Sequence, residues 1–168
     1  LSPHAGYRPC AGVALINAAG LVFIGRRRHQ RGSPIAGHEW QMPQGGIDEG
    51  EDPLAAARRE LHEETNVRSA TLIAEAPQWL AYDLPEGAGQ RFGGRYRGQT
   101  QKWFLFRFAG VEAEIDIERP AGGAHEPEFA AWRWERLAAL PDLVAPFKRE
   151  VYVQVAAWFG PLTAQRPA

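Results

Sequence analysis

The stretch DPLAAARRELHEETN, residues 52–66, fixes its own local structure and then makes an unusual demand on whatever surrounds it. Asp52 is a good N-cap, and Pro53 suits a first helical position, where its missing N–H costs nothing. Leu54, Ala57, Leu61 and Thr65 recur with helical spacing and predict a helix over about 53–65 with one core-facing stripe. At about 100° per residue, Glu60, Glu63 and Glu64 share one arc about 100° wide beside that stripe. One flank must be buried while the next crowds three carboxylates. Asn66 follows where a helix end favours a left-handed residue, usually Gly and next Asn, so a positive φ is expected there.

The rest of the chain supplies the partners of this helix. Runs 10–17 and 21–26 flank Ala18-Ala19-Gly20 and read as a strand hairpin. A short strand is expected at 40–43, then a sharp bend or close approach at Gly45-Gly46. Further strands are expected near 68–76, 78–84, 102–109 and 129–134, and a second helix from about 146 to 159. KWFLFRFA, within 102–109, is apolar enough to be covered on both faces. VEAEIDIE, residues 111–118, alternates strictly and reads as a strand with a solvated acidic face. Trp103, Trp132 and Trp134 read as packing residues. With 168 residues, no internal repeat and no linker, the chain reads as one α/β domain (1–168) with an ordered core of about 6–160 and loose ends.

Charge narrows the function. A net charge of −1 gives no global attraction to nucleic acid or membrane. The charge is nonetheless segregated: 26–31 holds Arg26, Arg27, Arg28 and Arg31, and 90–102 holds Arg91, Arg95, Arg97 and Lys102, neither with an acid. The second stretch, with Phe92 and Tyr96 interleaved, reads equally as an RNA-tracking loop or a solvated hairpin tip. Cys10 is the only cysteine, which excludes an internal disulfide. No apolar run reaches the length of a membrane span, and a cytoplasmic protein is expected. His29, His38, His62 and His125 show no metal-ligand spacing and read as surface residues.

A solvated flank paired with Arg58 and Arg59 is one reading of the three glutamates. The glycine pair, Glu51 and the Arg before Glu60 favour another, in which a hard divalent cation offsets the repulsion. Oxygen ligands of this kind suit Mg²⁺ or Mn²⁺ shared with substrate phosphates, hence metal-assisted attack of water on phosphorus.

Gly45, Glu51, Arg59-Glu60-Leu61, Glu63-Glu64 and Val67 match the box G-x5-E-x7-R-E-U-x-E-E-x-G-U (U bulky and apolar), departing only at Asn66 in place of Gly. The chain therefore resembles the Nudix hydrolases. GYRPCAG (6–12), WQMPQGGID (40–48), GQTQKWFLFRF (98–108), PEFAAWRW (127–134) and PFKREVY (146–152) resemble the bacterial branch acting on RNA 5′-triphosphate ends or dinucleoside polyphosphates. The resemblance implies an α/β/α sandwich with a mixed central sheet, and divalent-metal hydrolysis. It implies Glu60, Glu63 and Glu64 as metal ligands, with Glu128 joining them from outside the helix. One of Glu63, Glu64 or Glu128 would instead orient or deprotonate the water. Arg59 would hold Glu51 and a box carboxylate, and Gly45 and Gly46 would let the backbone approach the site. Arg8, Arg27 and Lys148 match phosphate-contacting positions, and strand alternation sets Arg27 on the face opposite Arg26 and Arg28. Tyr82 and Phe147 read as either base-stacking wall or core. The leading expectation is removal of pyrophosphate from RNA; diadenosine polyphosphate hydrolysis and a non-catalytic RNA- or nucleotide-binding module are the alternatives.

Overall fold

The computed structural model describes residues 4–28, 37–85 and 95–164. Arg31, His29, Arg91 and Phe92, together with the extreme ends of the chain, lie outside these residues. Two long strands form the spine: β1 (Tyr7–Ile16) and β7 (Gly98–Phe108) run parallel, in register from Tyr7–Gly98 to Ile16–Arg107. Around them are β2 (Val22–Arg27), β3 (Trp40–Gln41), β4 (Gln44–Gly46), β5 (Ala70–Glu75), β6 (Leu80–Asp83) and β8 (Phe129–Glu135). The main path is β3-β2-β1-β7-β5, with β4 on β1, β6 on β7 and β8 on β2, all antiparallel, so the sheet is mixed. Between β1 and β2, the Asn17 side chain accepts the N–H groups of Ala19 and Leu21, both at 3.0 Å, closing the turn expected there.

Alternation along the spine divides the core in two. Val13, Leu15, Phe104 and Phe106 face α1 (Pro53–Thr65), packing with Ala57 and Leu61. Ala14, Ile16, Trp103 and Leu105 face α2 (Arg149–Thr163), packing with Tyr152, Val155 and Phe159. Both faces of β7 are covered, as its apolar run requires, and the result is an α/β/α sandwich. Trp103 is fully buried, whereas Trp132 and Trp134 are half-buried and pack beside Phe23 on the α1 face.

The α1 boundaries match expectation, with the Asp52 carboxylate accepting the Ala55 N–H at 3.1 Å. A cap of this kind is worth about 1 kcal/mol. At the other end Asn66 has φ 70° and its N–H reaches the His62 carbonyl at 2.9 Å. VEAEIDIE is not a strand. It forms a short 3₁₀ turn at Glu112–Glu114, and its chain then crosses the end of α1. Ile115 and Ile117 are still buried in the α1 core, while the Glu114 carboxylate accepts the N–H groups of Arg68 and Ser69. The alternation was one of burial only: the segment's backbone bonds to α1 and its exit rather than to a strand, and only the Glu112 side chain reaches β8, accepting the Trp134 Nε1–H at 2.7 Å. Among the described residues, no helix is long and apolar enough to cross a membrane.

Candidate active site

Three elements bring the acidic cluster together. α1 supplies Glu60, Glu63 and Glu64 from successive turns, β4 runs alongside, and the start of β8 brings Glu128. Strand pairing locates Glu128, whose carbonyl accepts the Arg28 N–H at 3.1 Å. Glu64 is buried and accepts the Gln44 N–H at 3.3 Å. Burial, then the charges of Glu128 and Glu60, push its carboxyl well above the usual range. Glu60 is raised too, mainly by burial, against the opposing pull of Arg59. A side chain at position 45 would collide with the Glu60 carboxyl, so glycine lets that carboxyl keep its place against β4. Gly46 is in the same position relative to the Arg8 guanidinium. Gly45→Ala should therefore displace Glu60 and lower kcat at least about ten-fold, by analogy with other disturbances of metal-site support. Steady-state kinetics with a melting curve will check this, and unaltered kcat would refute the close approach.

Arg59 is the clamp of the cluster. Its guanidinium donates to both Glu51 oxygens at 2.8 Å, to Glu60 at 2.9 Å, to Glu63 at 3.1 Å and to the Gly46 carbonyl at 2.8 Å. The paired bonds hold the Glu51 carboxyl below its ordinary range. His125 is an exposed surface residue, as expected, and sits 3.4 Å from the other Glu63 oxygen. No spacing signal in the sequence announced that contact.

As the side chains stand, no three His, Cys, Asp or Glu among the described residues form a ready metal shell. Arg59 draws Glu60 and Glu63 to itself instead. The donor set still fits a divalent cation: a buried carboxylate destabilised by two others is relieved by a hard positive ion, and every candidate ligand is a carboxylate oxygen.

Cations and buried amides line the neighbouring ends of β1, β6 and β7. Lys148 is buried, donates to Gln41 Oε1 at 3.1 Å, and lies 5.9 Å from the ring centres of both Tyr82 and Phe147. Burial, reinforced by Arg27, lowers its ammonium to about 8. Arg27 is half-buried between exposed Arg26 and Arg28, as alternation required, despite a register shift at Arg26/Arg27. Of the two aromatic candidates, Tyr82 is buried and belongs to the core, while half-buried Phe147 packs 5.6 Å from it. A chain of buried amides also went unanticipated: Trp103 Nε1 donates to Gln101, and Gln101 donates to Gln44 and to Gln99, at 3.0–3.1 Å. It ends on the residue whose N–H holds Glu64. At the end of the basic stretch, Arg97 pairs with Asp83 and Lys102 with Glu75, while residues 90–94 lie outside the described residues. A cavity of about 390 Å³ on the other flank of α1 touches Arg59 but none of the carboxylates, so it is not the reaction site.

Known proteins resemble this chain in sequence and in fold. A family model described as NUDIX domain matches residues 6–155. A protein of Bradyrhizobium sp. (strain ORS 278) named RNA pyrophosphohydrolase is 57% identical over 157 residues, covering 93% of this chain and 94% of its own. One of the same name from Azorhizobium caulinodans is 56% identical over 154 residues, covering 91% and 92%. Among solved structures, the dihydroneopterin triphosphate pyrophosphohydrolase of E. coli superposes with a TM-score of 0.61 at 21% identity, covering 88% of this chain and 95% of that one. An Ap4A hydrolase of C. elegans in a binary complex gives 0.58 at 16%, covering 90% and 98%. These two likenesses are of fold.

Proposed function

This chain belongs to the Nudix family of hydrolases, and from that premise we propose that it removes pyrophosphate from the 5′-triphosphate end of RNA, with Mg²⁺ as its cation and Mn²⁺ as a substitute. The supporting observation is the buried Glu64 carboxyl, raised by burial and by the charges of Glu128 and Glu60, beside the cations Arg27 and Lys148. The relatives' shared name, carried over nine-tenths of the chain, supports RNA as substrate. The cytoplasm is the compartment where such a substrate is met.

In this reading Glu60, Glu63 and Glu64 hold the cation. A bound divalent ion supplies charge neutralisation at phosphorus and a more acidic water. Arg59 keeps the ligand carboxylates oriented while they wait for it, and one of Glu63, Glu64 or Glu128 orients or deprotonates the water. The water oxygen bonds to phosphorus as the bridging P–O bond breaks. Pyrophosphate leaves with that electron pair, and the water's proton passes to the carboxylate base and then to solvent. Arg8, Arg27 and Lys148 bind the polyphosphate, and Phe147 offers a ring edge to the first base beside Tyr82. Gly45 and Gly46 allow the backbone to approach.

The deciding experiment measures kcat/KM side by side on a 5′-triphosphorylated RNA oligonucleotide and on diadenosine tetraphosphate. A higher value for the RNA is expected. A marked preference for the dinucleotide would overturn the assignment in favour of a dinucleoside polyphosphate hydrolase.

A further inference from the structure

The box position that departs from the family pattern does more than end a helix. Asn66 adopts the left-handed conformation that Gly takes without penalty, so as a cap alone Asn has no advantage. Its side chain, however, makes two contacts that Gly lacks. Nδ2 donates to the Glu114 carbonyl at 3.0 Å, and Oδ1 accepts the Gly122 N–H at 3.2 Å. Both partners belong to the segment 111–126, which crosses the end of α1.

The two halves of this segment are held differently. The first is anchored by buried Ile115 and Ile117, by the Asp116 N–H to the Thr65 carbonyl at 3.0 Å, and by the Glu114 carboxylate. In the second, Glu118, Arg119 and residues 122–126 are exposed, and the backbone turns through three left-handed residues, Ala121, Gly122 and Gly123. Glycine adopts that conformation without cost, whereas Ala121, at φ 53°, carries strain there. This half packs against α1 along 120–123, where Pro120 is buried, and its polar contacts to α1 and its cap are the Gly122 bond to Asn66 and the approach of His125 to Glu63. Glu128 does not depend on either, since pairing with β2 holds it.

We propose that Asn66 is a positioning residue: its side chain clasps segment 111–126 to the end of α1 and so sets the contact between His125 and Glu63. Arg59 holds one Glu63 oxygen and His125 faces the other, which fixes the plane of a carboxylate that the proposed hydrolysis uses. The inference rests on that reading for its kinetic consequence but not for its structural one.

The test pairs amide hydrogen exchange with kinetics. Asn66→Gly restores the family residue and keeps the cap, so α1 exchange should be unchanged while exchange at 118–125 rises about ten-fold, the effect of a lost hydrogen bond. On triphosphorylated RNA, kcat should fall about three- to ten-fold with KM unchanged, consistent with the weaker effects of removing site support. His125→Ala should give the same kcat loss, His125→Gln, which keeps an N–H in place, should recover it, and the double variant Asn66→Gly/His125→Ala should lose no more than either single one. Unaltered exchange at 118–125 in Asn66→Gly, or additive kcat losses, would overturn the proposal. If the wild-type protein does not hydrolyse the RNA at all, the function has failed, and the exchange measurement still decides the clasp.

Discussion

Replacing Glu64 with Gln should nearly abolish turnover and at the same time raise the melting temperature of the metal-free protein. The activity loss is expected at about a thousand-fold or more, the scale of removing a principal electrostatic group from a reaction centre. Gln keeps an oxygen to accept the Gln44 N–H and changes volume little, so the fold has no reason to suffer. The gain in stability follows from linkage. Glu64 has its carboxyl pushed well above 4.5 by burial and by Glu128 and Glu60, so the unfolded chain releases that proton first. As pH rises from about 4.5 through the folded-state value, the metal-free protein loses stability. A neutral amide avoids that loss, and Mg²⁺ should therefore raise the melting temperature of the wild type much more than that of the variant. Scanning calorimetry at neutral pH with and without Mg²⁺, alongside kinetics, tests both halves. Near-normal turnover, or an equal Mg²⁺ response in the two proteins, would remove Glu64 from the metal site.

Arg59→Ala should produce the second-largest effect, with the opposite sign on stability. Removing the guanidinium deprives both Glu51 oxygens, Glu60, Glu63 and the Gly46 carbonyl of their donor at once. Activity should drop about ten- to a hundred-fold, as for the loss of outer support in metal sites. Stability should drop by about 2 kcal/mol, a figure held down by partial solvent exposure of the network. The loss has a pH signature. Glu51 is held below its ordinary range by Arg59, so its contribution is present above about 4.5 and disappears as pH falls through the folded-state value. The variant and the wild type should thus converge in acid and diverge at neutral pH. Arg59→Lys should recover little, because a single ammonium cannot satisfy five contacts spread over a planar fork. Denaturant titrations at pH 3 and pH 7 measure the difference, and a pH-independent deficit would show that Arg59 acts by packing alone.

What the sequence misjudged or left open shares one cause. VEAEIDIE alternates, and its isoleucines are indeed inside, but burial every second residue does not specify a ladder partner. The same limit applies to Tyr82, an aromatic beside phosphate-binding candidates whose burial depends on α2 and the turn before it. His125 carried no signal at all, since its carboxylate partner lies 62 positions away on another element.

The residues of 52–66 determined α1, its caps, its acidic arc and the left-handed Asn66, because each of these depends on neighbours within a few positions in a helix. They also pointed towards the proposed chemistry, since three like charges on one rigid face favour a positive partner, Arg59 in this structure and a divalent ion in the proposed reaction. Tertiary structure alone decided how that face is completed: which oxygen is buried, that β8 brings Glu128 beside Glu64, that Arg59 holds three groups besides its neighbour Glu60, and that a crossing segment is tied to Asn66. Desolvation and charge coupling depend on atoms brought together from distant parts of the chain, and local sequence does not encode those distances.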